Sequence, residues 1–194
     1  MSAAQKAALV EQFHSADDAA CEAAAVALGQ QGAAGLAALA ELLSMAEADA
    51  RFWAVRALWA NGSPAAVELL LPALSDPEEM VRSGAALALG ELKTEAAVEA
   101  LAALLATDPA ESGNHAADAL AKIGQPAAAV LIKALQDERP WVRVRAAKAL
   151  VSVESKQAVP ALFRALDDES YVVRHHAEEA LARMGVGQMV YFRV

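Results

Sequence analysis

The stretch "VRVRAAKAL" at residues 142–150 comes back, with some positions changed, as "VRSGAALAL" at 81–89 and "VRHHAEEAL" at 173–181. The three align without gaps on Arg143, Arg82 and Arg174. Carrying the register outward finds "RFWAVRALWA" at 51, and more divergent copies in "GNHAADALAK" at 113 and "CEAAAVALGQ" at 21. The anchors Cys21, Arg51, Arg82, Gly113, Arg143 and Arg174 stand 30 or 31 residues apart. A second apolar segment precedes each anchor, and its matching positions Phe13, Leu43, Leu74, Leu105, Leu135 and Leu166 keep the same spacing. A period of this length means stacked supersecondary units.

Each unit reads as two helices. In the first helix apolar residues fall at i, i+3, i+4 and i+7, as in Val67, Leu70, Leu71 and Leu74. A turn carrying Asp, Pro or Glu follows, and then the anchored second helix. Gly29, Gly62, Gly90, Gly124 and Gly185 lie at the ends of second helices, where a left-handed cap is expected. Pro64 and Pro126 lie near the starts of first helices, where the missing N–H costs little. A pair of helices cannot bury its own apolar stripe, whereas stacked pairs can, so the reading is an all-α chain, an α-solenoid of six helix pairs. One repeat domain is expected over 1–194, its repeats running roughly 5–31, 32–62, 63–93, 94–124, 125–154 and 155–185. Residues 186–194 form a tail in which "MVYFRV" is apolar and strand-like.

The copies serve as an internal comparison. Three positions after the anchor every copy has Ala (Ala24, Ala54, Ala85, Ala116, Ala146, Ala177), as it does again at +6; at +7 every copy has Leu (Leu28, Leu58, Leu89, Leu120, Leu150, Leu181). These columns share a helix face and are expected to be the buried seam. Glu178 is the single charged residue at +4, as expected of a solvent-facing last repeat.

Composition agrees. Apolar residues make up 57% of the chain and aromatics only 5%, so Ala and Leu dominate, the strongest helix formers. No apolar run is long enough to span a bilayer and the first residues lack the charged-then-apolar pattern of an export signal. The lone Cys21 has no disulfide partner. A cytoplasmic protein without membrane contact is expected. The net charge of −9 argues against nucleic-acid binding, which rests on Lys and Arg neutralising phosphates. The charge is uneven: 5 basic and 13 acidic side chains in residues 1–97 leave −8 there, against −1 for 98–194, which reads either as a solvated acidic surface that aids solubility or as an end suited to a basic partner surface.

The pattern "DxxxxVRxxAAxAL" resembles the HEAT-like repeat, in the short form named after phycobilisome lyases, over roughly residues 5–185. Asp76 with Arg82, Asp137 with Arg143, and Asp168 with Arg174 reproduce that family's Asp and Arg six apart. The resemblance implies that these residues form a ladder of charge-assisted hydrogen bonds between neighbouring repeats. Cys21 and Gly113 replace the Arg, and Met45 replaces the Asp before Arg51, so the ladder is expected to break at repeats 1, 2 and 4, with plasticity near the "TDPAESGNH" turn. The resemblance also implies that second helices line a concave groove.

The variable columns +1, +2 and +5 then become the candidate partner surface. They hold Phe52, Trp53, Arg56, Asn114, His115, Asp118, Arg145, Lys148, His175, His176 and Glu179, with Met80, Trp141 and Tyr171 at the helix mouths. Aromatics and Arg are the residues most enriched at interface hot spots; the alternative for Trp53 and Trp141 is that they cover the groove floor or pack between repeats. Trp59, at +8, is expected to pack between repeats.

Catalytic motifs are not found: there is no Gly-rich phosphate loop, nucleophile elbow or HExxH. The broad family includes deoxyhypusine hydroxylase, whose di-iron centre uses adjacent His-Glu pairs at +1 and +2. Here His175 is followed by His176, and His115 lies two repeats away, roughly 16–20 Å at 8–10 Å per packed helix. No metal, cofactor or catalytic residue is assigned on this reading. The expected function is a non-catalytic scaffold or adaptor that binds another protein through the groove. The alternative implied by the resemblance is a phycobilin lyase-like protein that binds or transfers an open-chain tetrapyrrole. The tail offers a possible route to self-association.

Overall fold

The computed structural model describes residues 4, 8, 11–13 and 17–186, and all regular structure among them is helical. The expected alternation appears in chain order as α1 (Asp18–Gly29), α2 (Gly32–Leu43), α3 (Ala48–Asn61), α4 (Pro64–Ala73), α5 (Glu79–Glu91), α6 (Val98–Thr107), α7 (Glu111–Ile123), α8 (Ala128–Ala134), α9 (Pro140–Val153), α10 (Val159–Ala165) and α11 (Tyr171–Arg183). Odd-numbered helices are the anchored second helices. Turns of 3-10 helix lead into α6, α8 and α10. The fold class is the all-α solenoid. The "MVYFRV" segment lies outside the described residues.

The chain divides into two compact units, Met1–Leu92 and Lys93–Val194, one residue from the joint expected between the third and fourth repeats. In the first unit α1 packs on α3 and α3 on α5, with α2 and α4 alongside. In the second, α7 packs on α9 and α9 on α11, with α6, α8 and α10 alongside.

The seam follows the repeat columns. All six +7 leucines are buried, and so are the +3 and +6 alanines from repeat 2 onward. In α1, Ala24 is half-buried and Ala27 exposed. At +4, where the sequence marks Glu178 as solvent-facing, Ala25, Val55, Ala86, Ala117 and Ala147 are buried and Glu178 is exposed. Among the described residues, +6 is exposed only in the first helix, at Ala27, and +4 only in the last, at Glu178. The two columns therefore face opposite neighbours, and Ala at both lets helices approach closely.

Helix ends depart from expectation in part. Gly62, Gly124 and Gly185 have φ of 62°, 84° and 72° just past α3, α7 and α11. Gly29 and Gly90 are instead still helical, and after α5 and α9 the left-handed position falls to Lys93 and Glu154, at φ 49° and 50°. Gly29 is needed for contact: a Cβ there would run into the Ala57 carbonyl of the next second helix. Pro64 opens α4 behind Ser63, whose Oγ accepts the Ala66 N–H at 3.2 Å. No helix among the described residues is long and apolar enough to cross a membrane.

Candidate functional site

Asp and Arg side chains join neighbouring repeats, Arg51 to Asp76 and Arg143 to Asp168, each pair 25 residues apart. Each anchor Arg uses Nη1 to bind two carbonyls of its own turn: Arg51 those of Met45 and Ala46, Arg82 those of Asp76 and Pro77, Arg143 those of Asp137 and Glu138, Arg174 those of Asp168 and Glu169. The carboxylate belongs to the next repeat. Arg51 donates from Nε and Nη2 to Asp76 at 2.7 and 2.8 Å, and Arg143 to Asp168 at 2.7 and 3.2 Å. Asp76 thus binds the Arg before it through its side chain and the Arg after it only through its carbonyl. Met45 does not exclude Arg51, because the missing Asp would have served position 21, where Cys21 stands. There the buried thiol donates to the Gln12 carbonyl at 3.1 Å. Asp137, with Gly113 where its Arg would be, pairs with Arg139 at 2.7 Å, and that hydrogen bond lowers its pKa to about 2.

Burial favours the neutral form of Asp76. It is outweighed by the hydrogen bonds from Arg51 and the Glu78 N–H and by the charges of Arg51 and Arg82, so the carboxyl is held below its ordinary value. Asp168 is held low in the same way, burial being outweighed by Arg143, the Ser170 N–H and Arg174.

Gly113 does not leave a loose turn. Arg145, two residues past the next anchor, fills the space: it donates to Leu105, Asp108, Pro109 and Ala110 carbonyls at 3.2, 2.5, 3.1 and 2.7 Å, and to Asn114 Oδ1 at 2.7 Å. A Cβ at position 113 would collide with both this guanidinium and the Asp108 carbonyl. Ser112 and Asp108 close the turn from below with a short hydrogen bond between their side chains. Arg145 is therefore a buried structural residue, 7% exposed, where the sequence reading placed it on the partner surface. Burial pushes its pKa down against the opposing charges of Asp108 and Glu111.

In the first unit, Phe13, Asp18, Ala19, Glu22, Asp49, Phe52, Trp53, Arg56 and Met80 line an open cavity of about 770 Å³. Trp53 forms its floor: the indole is 9% exposed, stacked on Phe13 at 6.0 Å and edge-on to Phe52 at 5.2 Å. It supports the surface more than it presents itself, and Phe52 and the 41% exposed Met80 are the reachable apolar groups. Arg56 is engaged by Glu22 through a two-toothed ion pair at 2.7 and 3.0 Å and lies over Trp59 at 4.7 Å. Three carboxylates against one guanidinium leave the cavity acidic.

In the second unit the predicted surface residues mostly hold one another. Trp141 lies under Arg145 at 4.8 Å and Arg139 at 5.2 Å, and Lys148 pairs with Asp118 at 2.9 Å. His115 Nε2 stands 3.9 Å from Glu111, while its Nδ1 is buried with no partner among the described residues. On α11, Tyr171 stacks on His175 at 6.1 Å, His175 meets His176 at 5.5 Å, and His176 Nδ1 stands 3.5 Å from Glu179. The sequence reading did not name Asp18 or Asp49, took Phe13 only as a first-helix apolar position, and had Glu22 in the variable +1 column without choosing it as a site residue. Asp18 and Asp49 precede the anchors by three and two residues, the same helix-mouth positions from which Tyr171 and Trp141 were chosen.

A family model described as HEAT repeats matches residues 36–117 and 114–182. No curated protein sequence matches the chain. Among solved structures, the complex of CpcE and CpcF of phycocyanin lyase from Nostoc sp. PCC7120 is 24% identical, covering 91% of this chain and 76% of that one, with a TM-score of 0.53. The archaeal HEAT-like repeats protein from Thermococcus onnurineus NA1 is 18% identical over 92% and 80%, with a TM-score of 0.61. A designed armadillo repeat protein in complex with the peptide (KR)4 is 22% identical over 91% and 98%, with a TM-score of 0.54. At these identities the likeness concerns the fold.

Proposed function

Because the chain belongs to the HEAT-repeat family, we propose that it is a non-catalytic protein-interaction module whose first unit takes a Lys- or Arg-bearing segment of a partner protein. The observation that carries this reading is the cavity beside α1 and α3, which combines an aromatic wall with a carboxylate rim. An alkyl stem packs on Phe52 and Met80 while its cationic head meets Asp18 and Asp49, and the ring face of Phe52 adds attraction for the same charge. The net charge of −8 over residues 1–97 draws such a partner in from a distance. Compared with the sequence reading, the partner surface shrinks: Trp53 and Arg145 become its support or leave it, and the second unit's face is largely paired internally.

The peptide (KR)4, present in the complex of the designed armadillo neighbour, is the natural first ligand. Fluorescence anisotropy of labelled (KR)4 is expected to show saturable binding. Asp18→Asn with Asp49→Asn weakens it, and Phe52→Ala costs about 2 kcal/mol, the level of an interface hot spot. Binding that ignores all three substitutions overturns the site. Biliverdin separates the tetrapyrrole alternative, since a shifted visible absorbance on mixing supports pigment handling in place of peptide binding.

A further inference from the structure

We propose that His175, His176 and Glu179 form a surface site for one divalent transition-metal ion of the zinc or nickel kind. Their ligand atoms all lie within 4.8 Å of one another. Helix geometry makes this possible: Glu179 is four residues from His175 and three from His176, so its carboxylate stands on the shared face between the two rings.

The spacing suits an ion better than a direct bond. His176 Nδ1 and Glu179 Oε2 are 3.5 Å apart, too long for a good hydrogen bond. Two donors each about 2.0–2.1 Å from a tetrahedral zinc stand about 3.4 Å from each other. A pair at the 4.8 Å limit closes to that distance with a side-chain displacement of about 1.4 Å. Tyr171 stacks on His175 with only 16° between the rings and limits its orientation.

The donor set selects the metal. Two imidazoles and a carboxylate suit zinc, nickel or copper and are poor for calcium or magnesium, which take oxygen. Three protein ligands complete neither a tetrahedron nor an octahedron, so water or a donor from a bound partner supplies the rest. Glu178, exposed one residue away, is outside the cluster because it occupies the end-face column. No metal is assigned from the sequence, because His176 stands where the family's His-Glu pair would have Glu and no other repeat supplies such a pair. The three residues share one helix, α11, and their ligand atoms gather there. This inference concerns the second unit and is independent of the peptide cavity.

Calorimetric titration of the full chain with ZnCl₂, and visible absorption of its Co²⁺ form, provide the test. One equivalent is expected to bind in the micromolar range with d–d bands of low coordination number. His176→Ala and Glu179→Gln are expected to weaken binding at least as much as loss of an outer-shell partner, roughly 10- to 100-fold, while Glu178→Gln leaves it unchanged. All these side chains are at the surface, and circular dichroism confirms that each variant folds. The absence of saturable binding at several hundred micromolar metal overturns the site. Equal binding by His175→Ala/His176→Ala does so too, because the ion then sits elsewhere.

Discussion

Arg145 shows how one residue can be misread when its column is known but its neighbours are not. Its sequence position places it among the variable, partner-facing residues, and nothing local distinguishes it from Arg56 or Lys148. The distinguishing fact is a glycine 32 residues earlier: Gly113 removes an anchor Arg and opens the space that Arg145 fills. Arg145→Ala leaves four carbonyls without this donor, and is expected to cost at least about 1 to 3 kcal/mol, the cost of leaving a buried polar group unsatisfied. Arg145→Lys should recover little, because one ammonium cannot reproduce the fork. Urea unfolding monitored by circular dichroism measures both. A second residue-scale expectation concerns acid. Asp76 and Asp168 have carboxyls held below their ordinary value in the folded state. The unfolded chain therefore binds protons more readily. The stability they contribute is whole above the unfolded value, about pH 4, and is lost as pH falls through the depressed folded values. Asp76→Asn is expected to lower stability at pH 7 by about 3 kcal/mol, since it breaks a largely buried pair with Arg51, and to flatten the acid limb of a stability-against-pH curve.

At the scale of the element, the second helix was legible because stacking imposes the same demands six times. The +7 leucine is buried in every copy, and Leu150→Ala is expected to cost about 2 to 5 kcal/mol by lost transfer and a residual cavity. The +4 column was read from the sequence only through Glu178 and not as part of the seam, because Val55 and Glu178 interrupt its alanines and it lacks the uniformity that marked +3, +6 and +7. Its burial makes a sharp contrast available. Ala147→Glu places a charge where Ala147 is fully buried, and should cost more than about 3 kcal/mol. Glu178→Ala, at the same position of the last repeat, should stay within about 0.5 kcal/mol. Thermal unfolding of the two variants side by side decides whether exposure at +4 is confined to the end of the stack. Helix ends were less legible: a glycine near a helix terminus serves either as a left-handed cap, as at Gly62, or as a close approach, as at Gly29, and local sequence is the same for both.

Across the whole molecule, charge is the property the sequence states most directly, and the proposed basic partner is chosen to complement it. Because the attraction is between exposed groups, binding of (KR)4 is expected to weaken steeply as salt rises and the screening length falls from about 10 Å at 0.1 M to about 3 Å at 1 M. Salt-independent binding, measured by the same anisotropy titration, would count against the acidic cavity. The repeat period, the helix pairing, the fold class and the buried leucines were all determined by the sequence alone, because a solenoid writes its packing rule into the chain once per layer. The choice of which Asp meets which Arg was decided only in the tertiary structure: the carboxylate of Asp76 reaches back to Arg51, 25 residues away, and only its carbonyl reaches forward to Arg82. The same holds for the burial of Trp53 and Arg145 and for the gathering of Phe13, Asp18, Glu22 and Asp49 around one cavity. Those contacts join residues from different layers, and a periodic sequence specifies the layer while leaving side-chain direction to whatever space the neighbouring layer leaves open.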